Sequence, residues 1–216
     1  PLIWIVLPIL LSGLMLPLLN RPAFLKWFGT GAALILAASA WLLPIDAETR
    51  ILFWDLSISD QLMVFGRSFI LSRSDLDIVG LLFLMCFFWF FIMDPGWVPI
   101  QLVPLGLTGA GLIISGFAVE PIFYGALFFA FLALIFVVLF SNPGEQPTPG
   151  VFRYLIYQTL GIIFILFASW LGSWVDFDAG DQTLYYRAAL MLALGFSFLL
   201  AIFPFSSWVL MVAEKN

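Results

Sequence analysis

The chain has 216 residues, 63% of them hydrophobic and 10% charged, with 8 basic and 13 acidic side chains giving a formal charge of −5. A soluble domain of this size has roughly a quarter of its residues charged and cannot hide so much apolar surface, so a water-soluble globular domain and intrinsic disorder are both excluded. With no histidine, the single Cys86 and no basic run, the chain has no bis-histidine haem, His-ligated metal, disulfide or iron–sulfur cluster of its own, and nucleic acid is not expected as a partner.

The apolar runs are long and broken by short polar clusters, the pattern of a polytopic membrane protein. In chain order the expected spans are Leu2–Leu19, Phe28–Pro44, Ile78–Met93, Val98–Val119, Ile122–Phe140, Tyr154–Val175 and Ala188–Val212. At 1.5 Å per residue they reach roughly 24 to 37 Å, enough to cross a ~30 Å hydrocarbon layer with tilt or flanking help. Leu2–Leu19 lacks a basic flank and a small-residue cleavage site, so it reads as a first span rather than a signal peptide. Asp94-Pro95-Gly96-Trp97 and Glu120-Pro121 are expected to be tight helical hairpins, since Pro and Gly do not continue a helix there. Ser141–Gly150 is a linker between spans five and six. The expectation is one polytopic membrane domain over 1–216, with a longer parent chain left open.

Between spans two and three lies the largest polar-flanked segment, Ile45–Asp77. It holds the alternating Leu56-Ser57-Ile58-Ser59 and then a second apolar run around Gly66, made of Leu62–Phe65 and Ser68–Leu71. Two short strands paired as a hairpin over the membrane surface fit it better than an eighth span, because Asp55, Asp60 and Arg67 interrupt it. Lys and Arg alone do not orient the chain: Arg21, Lys26, Arg153 and Lys215 fall on one side, and Arg50, Arg67, Arg73 and Arg187 on the other. An outer N-terminus is the expectation.

Ionisable side chains at membrane depth cost at least ~2.5 kcal/mol and mark proton or ion paths. None of the seven expected spans contains Asp, Glu, Lys or Arg. Glu120 and Asp94 sit at span ends, where the plain reading is a solvated hairpin residue. The polar residues inside spans are Gln101, Thr108, Ser115, Tyr124, Tyr157, Gln158, Ser197, Ser206 and Ser207, which bond neighbouring helices or water but do not titrate near neutral pH. Gly106, Gly109, Gly111 and Gly116 suit close helix packing, and Trp27, Trp41, Trp97 and Trp174 suit interface anchoring. Cys86 reads as a buried or lipid-facing apolar residue. Pro204 stands apart, about two-thirds of the way along span seven. It removes one amide hydrogen bond, which frees a carbonyl near Leu200 that Ser206 and Ser207 are placed to satisfy.

The segment Gly195-Phe196-Ser197-Phe198-Leu199-Leu200-Ala201-Ile202-Phe203-Pro204-Phe205-Ser206-Ser207-Trp208 resembles the broken seventh helix of the antiporter-like subunits of respiratory complex I, membrane-bound hydrogenases and multisubunit sodium/proton antiporters. The family pattern is Gly-Phe-x-Phe-Lys-x-x-x-x-Pro-x-His-x-Trp, met here by Gly195, Phe196, Phe198, Pro204 and Trp208. Two spans, a strand-bearing loop entering span three through Gly66–Leu71, and spans four to seven also follow the family layout. The resemblance implies an N-terminus outside and a seventh helix broken at Pro204. The candidate ion-path or broken-helix positions are Pro204, Ser206, Ser207 and Trp208 of this motif, together with the span-end Glu120 and the in-span Tyr124. The family's lysine falls on Leu199, its histidine on Ser206 and its glutamate near Phe128 or Phe129, so the Glu–Lys pair that handles protons is missing.

The fold class expected is therefore an all-α membrane protein with about seven transmembrane helices and a β-hairpin-like outer loop. Its expected role is an antiporter-like subunit of a complex I-like redox or ion-translocating assembly in a bacterial inner membrane or equivalent energy-transducing membrane. That role is structural or auxiliary, among other membrane subunits and lipid. It has no catalytic centre or cofactor of its own, although its host resembles a quinone oxidoreductase-type complex. Active participation in proton or cation translocation, and an unrelated polytopic anchor or assembly subunit, stay open as alternatives.

Overall fold

The structure is a computed structural model that describes residues 1–43, 48–51, 54–57, 59–64, 66–121, 124–140, 148–174, 182–202 and 204–213. Among the described residues, eight α-helices and five short strands run in the order α1 (Leu2–Met15), α2 (Pro22–Leu42), β1 (Glu48–Ile51), β2 (Trp54–Ser57), β3 (Gln61–Val64), β4 (Arg67–Ile70), α3 (Asp75–Ile92), α4 (Leu102–Ala118), β5 (Val119–Glu120), α5 (Gly125–Phe140), α6 (Pro149–Gly172), α7 (Gln182–Leu199) and α8 (Ser207–Ala213). The chain divides into two compact units, Pro1–Pro121 and Ile122–Asn216. Three helices, α2, α3 and α6, are long and apolar enough to cross a membrane, while Leu2–Leu18, α4 and α5 are shorter apolar helices.

Hydropathy misplaces several helix starts. α2 begins six residues ahead of the expected Phe28 and α6 five ahead of Tyr154, so Lys26 and Arg153 lie inside helices rather than before them. Each of these helices opens with proline, whose fixed φ and missing N–H suit the first turn, and Thr148 caps α6 by accepting from the Val151 N–H at 3.4 Å. α3 likewise starts at Asp75, whose Oδ2 accepts from the Ser72 N–H (2.8 Å) and Oγ (2.6 Å). Asp75 and Asp77 in this first turn favour the positive end of the helix dipole. α4 starts later than expected, at Leu102, because Asp94 folds the preceding segment into turns and accepts from the Gly96, Trp97 and Val98 amides. The expected ends at Pro44 and Val175, the start at Ile122, linker residues 141–147 and loop residues Ile58 and Phe65 lie outside the described residues.

In the first unit α2 packs on α3, and α1 on α4, around fully buried Trp4, Phe83, Leu25 and Val103. Polar bonds tie the helices: Trp4 Nε1 donates to Ser39 Oγ (3.1 Å), and Ser12 and Thr108 share a 2.6 Å bond. The expected packing role of the α4 glycines holds for Gly106 and Gly111. A Cβ on Gly106 would meet Phe90 at 3.0 Å, and one on Gly111 would meet the Ile5 carbonyl at 3.0 Å.

The segment between α2 and α3 carries more strand than the single hairpin expected. β1 pairs with β2, so the Leu56-Ser57 stretch does not pair with the Gly66 region. That region folds on itself: β3 and β4 join across Gly66, whose φ of +74° is the left-handed turn conformation that glycine adopts freely. β5 then adds to β4 with Ser68 opposite Glu120 and Phe69 opposite Val119. Glu120 is thus an exposed strand residue, not part of the two-residue helical turn expected from Glu120-Pro121.

Candidate site at the α7–α8 joint

The second unit is organised along α6. Tyr154, Gln158, Gly161 and Ile165 recur at four- and three-residue steps and form a buried stripe on one face. α5 lies on this stripe through Tyr154, whose hydroxyl donates to the Ala133 carbonyl at 3.3 Å. α7 crosses at a glycine pair. A Cβ on Gly161 would sit 2.9 Å from the Gly195 carbonyl, and one on Gly195 would sit 2.9 Å from the Gly161 carbonyl. Further back along α6, a Cβ on Gly150 would meet Met211 and Val212 of α8 at 3.0 Å. Both halves of the broken segment therefore run antiparallel along one continuous helix.

From Gly150 to Gly161 the α6 axis advances about 16 Å, whereas an unbroken helix from Gly195 to Val212 would advance about 25 Å. The difference is taken up at the joint. α7 ends at Leu199, α8 starts at Ser207, and the break falls within about one turn of Pro204, as expected. Its chemistry differs from the expectation. The helix has already ended before the proline, through a Schellman arrangement with Ala201 in the left-handed region at φ +53°. The Ile202 N–H donates to the Ser197 carbonyl (3.0 Å) and the Ala201 N–H to the Phe198 carbonyl (3.3 Å). Pro204 bars any continuation beyond that, since its ring would clash with the carbonyl four residues back.

The serines do not satisfy the freed carbonyl as expected. Gln158 Nε2 donates to the Leu199 carbonyl at 3.2 Å, and the Gln158 side chain is itself buried. Ser207 Oγ instead lies 3.4 Å from Tyr157 Oη, and the Ser206 carbonyl accepts from the Val209 N–H at 3.0 Å. A ring cluster spans the break: Phe198 and Phe205 are 4.0 Å apart, with Tyr157 5.9 and 6.0 Å from them and Phe164 stacked 5.7 Å from Phe198. On α8, Trp208 packs 4.7 Å from Tyr154 and 6.0 Å from Phe140, with its buried Nε1 unpartnered among the described residues.

Of the candidate ion-path residues, the structure gathers Ser207 and Trp208 against α6. Pro204 is exposed in the connection, and Ser206 is half-buried. Tyr124 stands half-buried just before α5, and Glu120 belongs to the sheet of the first unit. Phe203 of the motif lies outside the described residues. Leu199, where the family has lysine, packs over Gly161: a Cβ there would meet its Cγ at 3.1 Å. Phe128 and Phe129 lie half-buried on α5.

No family model, curated protein or solved structure matches this chain.

Gln158 bonds a neighbouring helix, as expected of the in-span polar residues, but the sequence reading did not single it out from the others. Its periodic placement with Tyr154, Gly161 and Ile165 was the available signal, because a polar residue within a buried stripe needs a partner. Among the described residues of Ile122–Asn216 the charged side chains are Arg153 and Arg187, both exposed near helix starts. The joint is polar but carries no titrating group near neutral pH among those residues.

Proposed function

We propose that the chain is an antiporter-like membrane subunit of a complex I-like or related redox or ion-translocating assembly, with a structural or auxiliary role. On this reading α1 to α6 and the α7–α8 pair make seven spans, multi-pass in a bacterial inner membrane or equivalent energy-transducing membrane. The observation that carries it is the discontinuity at Leu199–Ser207, which falls within the motif that resembles the family's broken helix. The order of two helices, a strand-bearing segment, then four helices and a broken one supports it as well.

The auxiliary role follows from the chemistry of the joint. The lysine position is Leu199, packed over Gly161, and the glutamate position is phenylalanine. Without that pair the described residues of the joint offer hydroxyls and amides, which orient water but do not exchange protons in the working range. Two measurements test the proposal. Solubilised in mild detergent, the chain should copurify with membrane subunits that bear intramembrane glutamate and lysine; recovery alone or with an unrelated enzyme overturns the assignment. Reconstituted alone in liposomes under a pH gradient, it should give no proton flux above protein-free vesicles. Flux above that control makes the chain a participant in translocation and removes the auxiliary reading.

A further inference from the structure

The geometry points to Gln158 as the positioning residue of the α7–α8 joint: it pins the last residue of α7 to α6, the helix on which α8 also packs, and so fixes α7 relative to α8. The inference rests on the geometry of the second unit and stands whether or not the chain belongs to an antiporter-like assembly.

A broken helix exposes the carbonyls of its last turn, and in an apolar setting each must find a donor. Here the backbone supplies part of the closure through the Ala201 and Ile202 amides, bonded to Phe198 and Ser197. The Leu199 carbonyl is left to a side chain, and Gln158 reaches it at 3.2 Å across 41 positions of sequence. The polar link from α6 to the α8 side of the joint, Tyr157 to Ser207, is 3.4 Å long and so weaker than the Gln158 bond to the α7 side. The tilted contact of Phe198 with Phe205 closes the same gap, but its geometry is less strict than a hydrogen bond's and survives small rotations. Among the described contacts, Gln158 is thus the short directional tie at the point where the chain turns. Its own burial adds to the effect, because an unpaired amide left there would be costly.

The test uses the full chain in nanodiscs, with Cys86→Ser as background and spin labels on cysteines at Leu192 of α7 and Leu210 of α8, both exposed. The distance distribution between the labels reads the joint angle directly. With Gln158 present it is narrow. Gln158→Met, which keeps the length of the side chain and loses the donor, broadens or shifts it. Hydrogen exchange of the peptide around Ala201 and Ile202 also rises about ten-fold, the factor set by one lost hydrogen bond to a buried carbonyl. Ser197→Ala, which removes a 2.7 Å bond to the Ala193 carbonyl inside α7, leaves the distribution narrow. If Gln158→Met does not accumulate, Gln158→Asn keeps the amide but falls one methylene short, and the same broadening is expected. An unchanged distribution and unchanged exchange in whichever variant accumulates overturn the proposal, as does equal broadening in Ser197→Ala.

Discussion

The glycine pair at the α6–α7 crossing sets a sharp test through Gly195→Ala. Its Cβ would lie 2.7 Å from Ile165 Cγ1, 2.9 Å from the Gly161 carbonyl oxygen and 3.2 Å from the Ile165 amide nitrogen. The isoleucine side chain can rotate away, but the carbonyl and amide are α6 backbone. Ordinary contact begins near 3.4 Å, so the helices must separate by about half an ångström, and overpacking of this kind costs about 1–3 kcal/mol. Separation also stretches the neighbouring Gln158–Leu199 bond from 3.2 Å beyond hydrogen-bonding range. Against this, alanine gains up to about 1 kcal/mol of helix propensity. The net expectation is a loss of about 1–2 kcal/mol. Gly31→Ala is the matched control: it lies inside α2, and a Cβ there meets nothing within 4 Å, so it should stabilise by about 0.5–1 kcal/mol. Unfolding in detergent followed by far-ultraviolet circular dichroism reads both. The double variant Gly161→Ala with Gly195→Ala should cost less than the sum of its parts, because one separation relieves both clashes. If Gly195→Ala proves as stable as Gly31→Ala, the close crossing is wrong, and with it the geometry of the joint beside it.

Two further outcomes follow from the joint. Ala201→Gly should be close to neutral, since relief of the left-handed cost of about 1–2 kcal/mol is partly offset by glycine's entropy, whereas Ala201→Val should destabilise by about 1–2 kcal/mol in the same unfolding assay; equal stability of the two removes the left-handed assignment. Leu199→Lys should accumulate poorly on size-exclusion of membrane extracts, because a cation over Gly161 has no carboxylate among the described residues of this unit and costs at least ~2.5 kcal/mol at membrane depth. Full accumulation of the single variant would show an acidic or hydrated partner there and weaken the auxiliary reading.

Much of the architecture was legible in the residues alone. Sustained apolar runs with sparse charge admit little but helices, so the centre of each long helix was found from hydropathy. Pro204 located the break to within a turn, because an interior proline removes a backbone hydrogen bond and crowds the preceding turn, although α1 continues through Pro8. Helix starts were not found this way: hydropathy ignores the caps and first-turn residues, such as Thr148, Pro22 and Asp75, that carry a helix beyond its apolar run.

Tertiary structure decided the rest, because the deciding partners are remote. Val119 reads as the end of span four and Glu120 as part of a helical hairpin with Pro121 until β4 offers them a sheet edge. Ser206 and Ser207 stood nearest in sequence to the carbonyls of the break, yet the Leu199 carbonyl goes to Gln158, brought there by the Gly161–Gly195 crossing. Local sequence determines that a helix must end and that its last carbonyls need donors. Only the packing of α6 against α7 determines which donor arrives.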